Sequence, residues 1–262
     1  MRNIERGPSV EEEKEEEDVE KLEGFMEEIA EKLRNEGVPV NDDCRINMDA
    51  FKGVFSSESV ENNKKIVKEF EDKWYGNLTE EEIKKEKLKK SGEQFEMLVT
   101  SIFNKFLGEK FIIVRSAAYD DIRNKVDNLI LDKETGNIVC AFDEVGDSSG
   151  LRFEEKKKKI LERNQRGCSI RYGLGIQKGK LTLENRENIP IFYLALSKES
   201  IKNGIKKLVP SFDEKSDFEK KLFDYFISSF DSQIKGLKLE RNLNWDVKEQ
   251  LDYFEKILRE IK

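Results

Sequence analysis

Residues 119–147 read YDDIRNKVDNLILDKETGNIVCAFDEVGD. Two apolar runs, 124–131 and 138–145, carry the β-branched and aromatic residues of buried strands, and DKETGN between them supplies a Gly-containing turn. The stretch therefore predicts a hairpin. Carboxylates stand where each run begins or ends: Asp120, Asp121 and Asp127 at the first, Asp143, Glu144 and Asp147 at the second. Acids at the ends of neighbouring strands can converge on a divalent cation.

Upstream, FIIVRSA (111–117) predicts a strand, and before it Phe95, Leu98, Val99, Ile102, Phe103 and Phe106 fall on one face of a helix ending near Leu107. At about 100° per residue, Glu96 lies at the edge of that stripe and Glu93 points further outward. Thr79 and Glu82 have capping-box spacing, so this helix is expected to start near residue 79 and to break at Gly92. Downstream the pattern predicts a helix over 152–164, a hairpin through SIRYGLGIQ and LTLE, and an apolar strand over 189–196. Helices over 198–208, 218–237 and 245–261 follow. The remaining N-terminal region predicts helices over 19–35 and 59–74. Four segments result: an acidic tail at 1–20, expected as disorder or a marginal solvated helix, a helical region at 21–91, an α/β core at 92–196 and a helical region at 197–262. The amphipathic terminal helices suggest a homodimer.

The chain has no histidine, which excludes Ser-His and Cys-His nucleophile pairs and His-ligated zinc. Its three cysteines, Cys44, Cys140 and Cys168, are in no metal-ligand spacing. YGLGIQKGK lacks the spacing of a phosphate-binding loop. No apolar stretch approaches the roughly 20 residues of a membrane span, so a cytoplasmic protein is expected. The net charge of −7 is uneven: residues 1–36 carry 14 acids and 6 bases, leaving 41 acids and 42 bases elsewhere. The body is thus near neutral and compatible with a phosphate-bearing partner.

The order helix, strand, strand, strand, helix, strand over about 92–196 resembles the PD-(D/E)XK nuclease superfamily. The resemblance implies an α/β (α+β) protein with a restriction-endonuclease-like αβββαβ core, a mixed sheet and an inserted hairpin. Carried over by position, Asp127 in KVDNLIL matches the family's strand Asp, Glu144 in DEVG its second acid, and Glu96 in GEQFE its helical acid. Asp121 is a further candidate at the metal. The implied cofactor is Mg²⁺ or Mn²⁺, and the implied substrate is DNA or RNA. Gly146 stands where the family motif has lysine. Lys125, two residues before Asp127 in the same run, is the first substitute and Lys156 the second, because lysines migrate in this family. Lys157 and Lys158 are expected to contact substrate phosphate. A nuclease fold without activity, serving as a binding or assembly module, is the alternative. The segments KKSGEQFE, YDDIRNKVDNLI and AFDEVGD also resemble stretches of proteins from candidate-phylum bacteria, a likeness that implies no function.

Each candidate also has a plainer reading. Asp127 could pair with a nearby base at a strand end, and Asp120 and Asp121 could shape a turn. Asp143, alternating to the opposite face from Glu144, reads as a surface residue. Lys156–Lys159 could be a solvated helix face.

Overall fold

The structure, a computed structural model, describes residues 10–146 and 151–261. Asp147, residues 148–150 and the first nine residues of the acidic segment lie outside the described residues. Helix α1 (Val10–Asn35) sets Leu22, Phe25, Met26, Ile29 and Leu33 into the core at helical spacing. Its Glu-rich first half, expected as disorder or a marginal solvated helix, continues that helix out to Val10. Glu is a good helix former, and the packed second half provides the nucleus that the first half extends.

A 3₁₀ turn (Met48–Gly53) leads into α2 (Ser57–Tyr75) and α3 (Glu80–Leu88). Thr79 and Glu82 form the capping box their spacing predicts, and α4 (Ser91–Leu107) then starts as a separate helix. The rest of the chain runs β1 (Phe111–Arg115), α5 (Ala118–Asn124), β2 (Asn128–Asp132), β3 (Ile138–Val145), α6 (Leu151–Arg166), β4 (Cys168–Gln177), β5 (Lys180–Ile189), β6 (Ile191–Ala195), α7 (Lys198–Lys207), α8 (Asp217–Lys238) and α9 (Trp245–Ile261).

Four strands form one mixed sheet in the order β1-β2-β3-β6, with β3 and β6 parallel and the other neighbours antiparallel. The chain is thus a mixed α/β protein, and β4 and β5 form a separate two-stranded sheet inserted before the last strand. In the β2–β3 turn, Asp132 accepts the N–H groups of Glu134 and Thr135. Gly136 has φ +72°, and a Cβ there would lie 2.5 Å from the backbone nitrogen of Ile176, so the turn packs too closely on β4 for any side chain.

Register explains how α4 crosses the sheet. Arg115 pairs with Asn128, and Asn128 pairs with Phe142, so the three side chains form one row on one face. Helix α4 meets that row step by step: Glu93 and Glu96 bind Arg115, Thr100 binds Asn128, and the Phe103 ring lies 5.6 Å from Phe142. Phe230 of α8 and Phe254 of α9 close the same face against Phe142 and Phe192. The apolar stripes of α8 and α9 that suggested a dimer are therefore used within the chain. The opposite face carries α6, whose Asn164 side chain bonds both backbone groups of Ile191 and whose Phe153 meets Tyr193.

One ion pair fastens α4 to α8 in the interior. Lys105 and Glu219 have side chains 0% and 1% exposed and lie 2.5 Å apart; Glu219 also accepts the N–H groups of Val209 and Ser216. Removing one partner strands the other charge, so Glu219→Ala is expected to cost about 3–5 kcal/mol. Thermal unfolding of the variant should show a Tm lower by about 10 °C; an unchanged Tm would show that the pair contributes nothing.

Candidate metal centre

The centre lies where β2 begins and β3 ends. Glu96 comes from the sheet-facing side of α4, Asp121 from the first turn of α5, and Asp127 from the residue before β2. Each offers one carboxylate oxygen, and the three oxygens lie within 4.8 Å of one another. Asp127 is buried, whereas Glu96 and Asp121 are half-buried.

Glu144 stands beside this trio rather than within it. Its backbone N–H donates to Asp127 Oδ2 at 2.8 Å. Glu144 Oε1 accepts from Asn128 Nδ2 at 2.6 Å, and Asn128 in turn accepts from Thr100, so α4 orients Glu144 through one intermediate. Glu144 Oε2 is buried without a hydrogen-bond partner.

These acids strain against their surroundings. Burial, reinforced by the neighbouring Glu96 and Asp143 carboxylates and opposed by the Asn128 amide that donates to it, pushes the Glu144 carboxyl up to about 8. Burial raises Glu96 to about 7 despite the nearby Arg115. Asp127 is raised well above the usual carboxylate range by burial and then by Asp143, Glu96, Glu144 and Asp121. The three oxygen donors of Glu96, Asp121 and Asp127 could hold a metal ion, and the orphaned Glu144 oxygen lies beside them.

Two arginines border the set. Arg115, 0% exposed, bonds Glu96 Oε2 at 2.5 Å and Glu93 Oε1 at 2.7 Å. Burial opposes ionisation of Glu93, but Arg115 and Arg45 outweigh it and hold that carboxyl below its usual range. Arg45 reaches Asp121 Oδ2 at 3.0 Å and Glu96 Oε2 at 3.4 Å.

The sequence expectations fare unevenly. Residues 118–123, expected as a turn, and Asn124, expected to open a strand, form α5, and β2 starts only at Asn128. Lys125 is consequently not on a strand face with Asp127. It caps α5 in the left-handed region (φ 49°), is exposed, and its carbonyl accepts from Arg163. Nor do Asp127 and Glu144 meet by sharing a face. Asn128 has the face of Phe142, so Asp127 reaches β3 through the Glu144 N–H at the sheet's open end.

Lys156 does arrive at the strand end: its Nζ lies 2.6 Å from Asp143 Oδ1 and 2.8 Å from the Glu144 carbonyl oxygen. Burial disfavours its charge, but Asp143 and Asp127 outweigh this and raise its pKa. Asp143, expected at the surface, is buried. Lys157 pairs with Glu154 and lies over the Phe153 ring, and Lys158 is exposed on the same helix. Glu93 turns inward to Arg115 instead of outward. Asp120, expected in a turn, is buried and accepts the N–H groups of Arg171 and Tyr172, latching β4 onto α5. Asn128, Arg45 and Arg115 escaped the sequence reading. A polar residue inside an apolar strand was the available signal for Asn128.

No protein-family model matches the chain, and comparisons with curated proteins and with solved structures give no significant match. No helix among the described residues is long and apolar enough to cross a membrane.

Proposed function

We propose that the protein is a Mg²⁺- or Mn²⁺-dependent phosphodiester hydrolase acting on DNA or RNA, built on a restriction-endonuclease-like αβββαβ core. The observation that carries this reading is the convergence of Glu96, Asp121 and Asp127 at the open end of the mixed sheet. Their three oxygens would hold the cation. Once bound, the cation supplies Lewis-acid polarisation of a phosphate oxygen. Asp127 ties the cation's ligands to β3 through the Glu144 N–H, which fixes the spacing between the two strand ends. Glu144 Oε2, buried and unpartnered beside Asp127, would take a proton from the attacking water when the carboxyl is ionised. Lys156 brings a cation to the same strand end and takes over charge neutralisation from the position held by Gly146.

A second reading, a nuclease-like fold without activity, draws support from the ion pairs. Arg45 and Arg115 already engage Glu96 and Asp121, and Lys156 is committed to Asp143. Calorimetric titration with Mn²⁺ separates the two. The hydrolase reading expects saturable binding by the wild type and a loss of about tenfold or more in affinity for Glu144→Gln, which disturbs the neighbour of Asp127. Absence of any binding by the wild type at millimolar Mn²⁺ would leave only the inactive module.

A further inference from the structure

We propose that Arg45 is a built-in competitor for the divalent cation at Glu96, Asp121 and Asp127, and so sets the affinity of that site; the inference rests on the metal reading above. Arg45 comes from outside the α/β core. Residues 44–46 run beside the end of β1, where Ile46 N–H donates to the Arg115 carbonyl and Arg115 N–H donates to the Cys44 carbonyl, each at 3.0 Å. This attachment delivers the Arg45 guanidinium to two of the three candidate ligands, 3.0 Å from Asp121 and 3.4 Å from Glu96.

Three neighbouring carboxylates need positive charge beside them, and without a metal Arg45 provides it. Arg115 plays a different part. It is fully enclosed and divides its grip between Glu96 and Glu93, which lies outside the trio, so it has no open path away from the site. Arg45 can leave: its side chain is 12% exposed, and the residue lines an open cavity of about 490 Å³. A cation that takes the oxygens of Glu96 and Asp121 must displace this guanidinium or bind against its field.

The test is Mn²⁺ calorimetry on the full chain as wild type, Arg45→Met and Arg45→Lys, with circular dichroism to verify folding. Arg45→Met is expected to bind Mn²⁺ at least about tenfold tighter than wild type, because a full charge within about 4 Å is removed. Arg45→Lys keeps the charge but loses the two-pronged grip, and should fall between. The metal-free Arg45→Met protein should also melt lower than wild type and recover the difference at saturating Mn²⁺. Equal or weaker binding by a folded Arg45→Met protein overturns the competitor while leaving the metal site standing. If Arg45→Met does not fold, Arg45→Lys decides: affinity no higher than wild type overturns the proposal. Binding by neither wild type nor variants removes the metal reading itself and the proposal with it.

Discussion

Asp127→Ala should abolish Mg²⁺- or Mn²⁺-dependent nicking of supercoiled DNA or cutting of RNA, a loss of at least about a hundredfold in rate. Asp127 is the hinge of the centre: it belongs to the three-oxygen set and also receives the Glu144 N–H. Without it, Glu96 and Asp121 lose the third oxygen, and the end of β3 loses its tie to the start of β2. Asp127→Asn refines the result, because an amide oxygen can still accept that N–H while the negative charge is gone. Cleavage should be lost in both variants, but the amide should spare the metal-free fold. It should even stabilise that fold at neutral pH by about 1–2 kcal/mol, since a repelled, buried carboxylate has been neutralised. Equal cleavage by wild type and Asp127→Ala would expose a contaminating nuclease and end the hydrolase assignment.

The second large effect is a reversal in how pH acts on stability. Glu144 is pushed up to about 8, Glu96 to about 7, and Asp127 well above its ordinary value, all chiefly by burial. A carboxyl raised in the folded state binds more protons folded than unfolded in the interval between its two pKa values, so stability falls as pH rises through that interval. The contribution is complete below about pH 4, where the unfolded carboxyls are also protonated, and is lost progressively toward about pH 8. Asp121, Asp143, Arg45, Arg115 and Lys156 all face this group; Arg115 and Arg45 soften the trend at Glu96, where burial outweighs them. Differential scanning calorimetry of the metal-free protein should give a Tm lower by on the order of 5–10 °C at about pH 8 than at about pH 5. Mn²⁺ should raise Tm little at the lower pH and strongly at the higher one, because binding releases the protons these acids hold. A metal-free Tm that rises across that interval, or a Mn²⁺ effect independent of pH, would refute the coupling.

Much of the scaffold is legible in the chain because its signals are local. The capping box at Thr79 and Glu82, the Asp132 turn and the stripe through Phe95, Leu98, Ile102 and Phe103 each lie within a few residues and match one structural period. Helix α5 is the failure that matters most. AYDDIRN is seven residues long and reads as a turn, and starting the next strand at Asn124 instead of Asn128 put Lys125 on a strand. The candidate site was legible in part: Glu96, Asp121 and Asp127 converge, and Lys156 sits at the strand end. Arg45 was beyond such reading, since it lies 76 residues before its partner Asp121 and belongs to no periodic element. Asp143 misled because alternation sets its face correctly, but a helix covers that face and brings Lys156 to it.

The strip at residues 44–46 also fixes how the chain can be divided. Strand β1 is the outer strand of its sheet, and the strip occupies the hydrogen-bonding groups at its end. A fragment comprising only residues 92–196 would retain every acid of the centre yet lose the guanidinium that balances two of them. It would also bare a strand margin ready to pair with another molecule. Such a fragment is expected to self-associate and to bind cations more avidly than the intact chain. The smallest transplantable unit therefore begins before Cys44, outside residues 92–196.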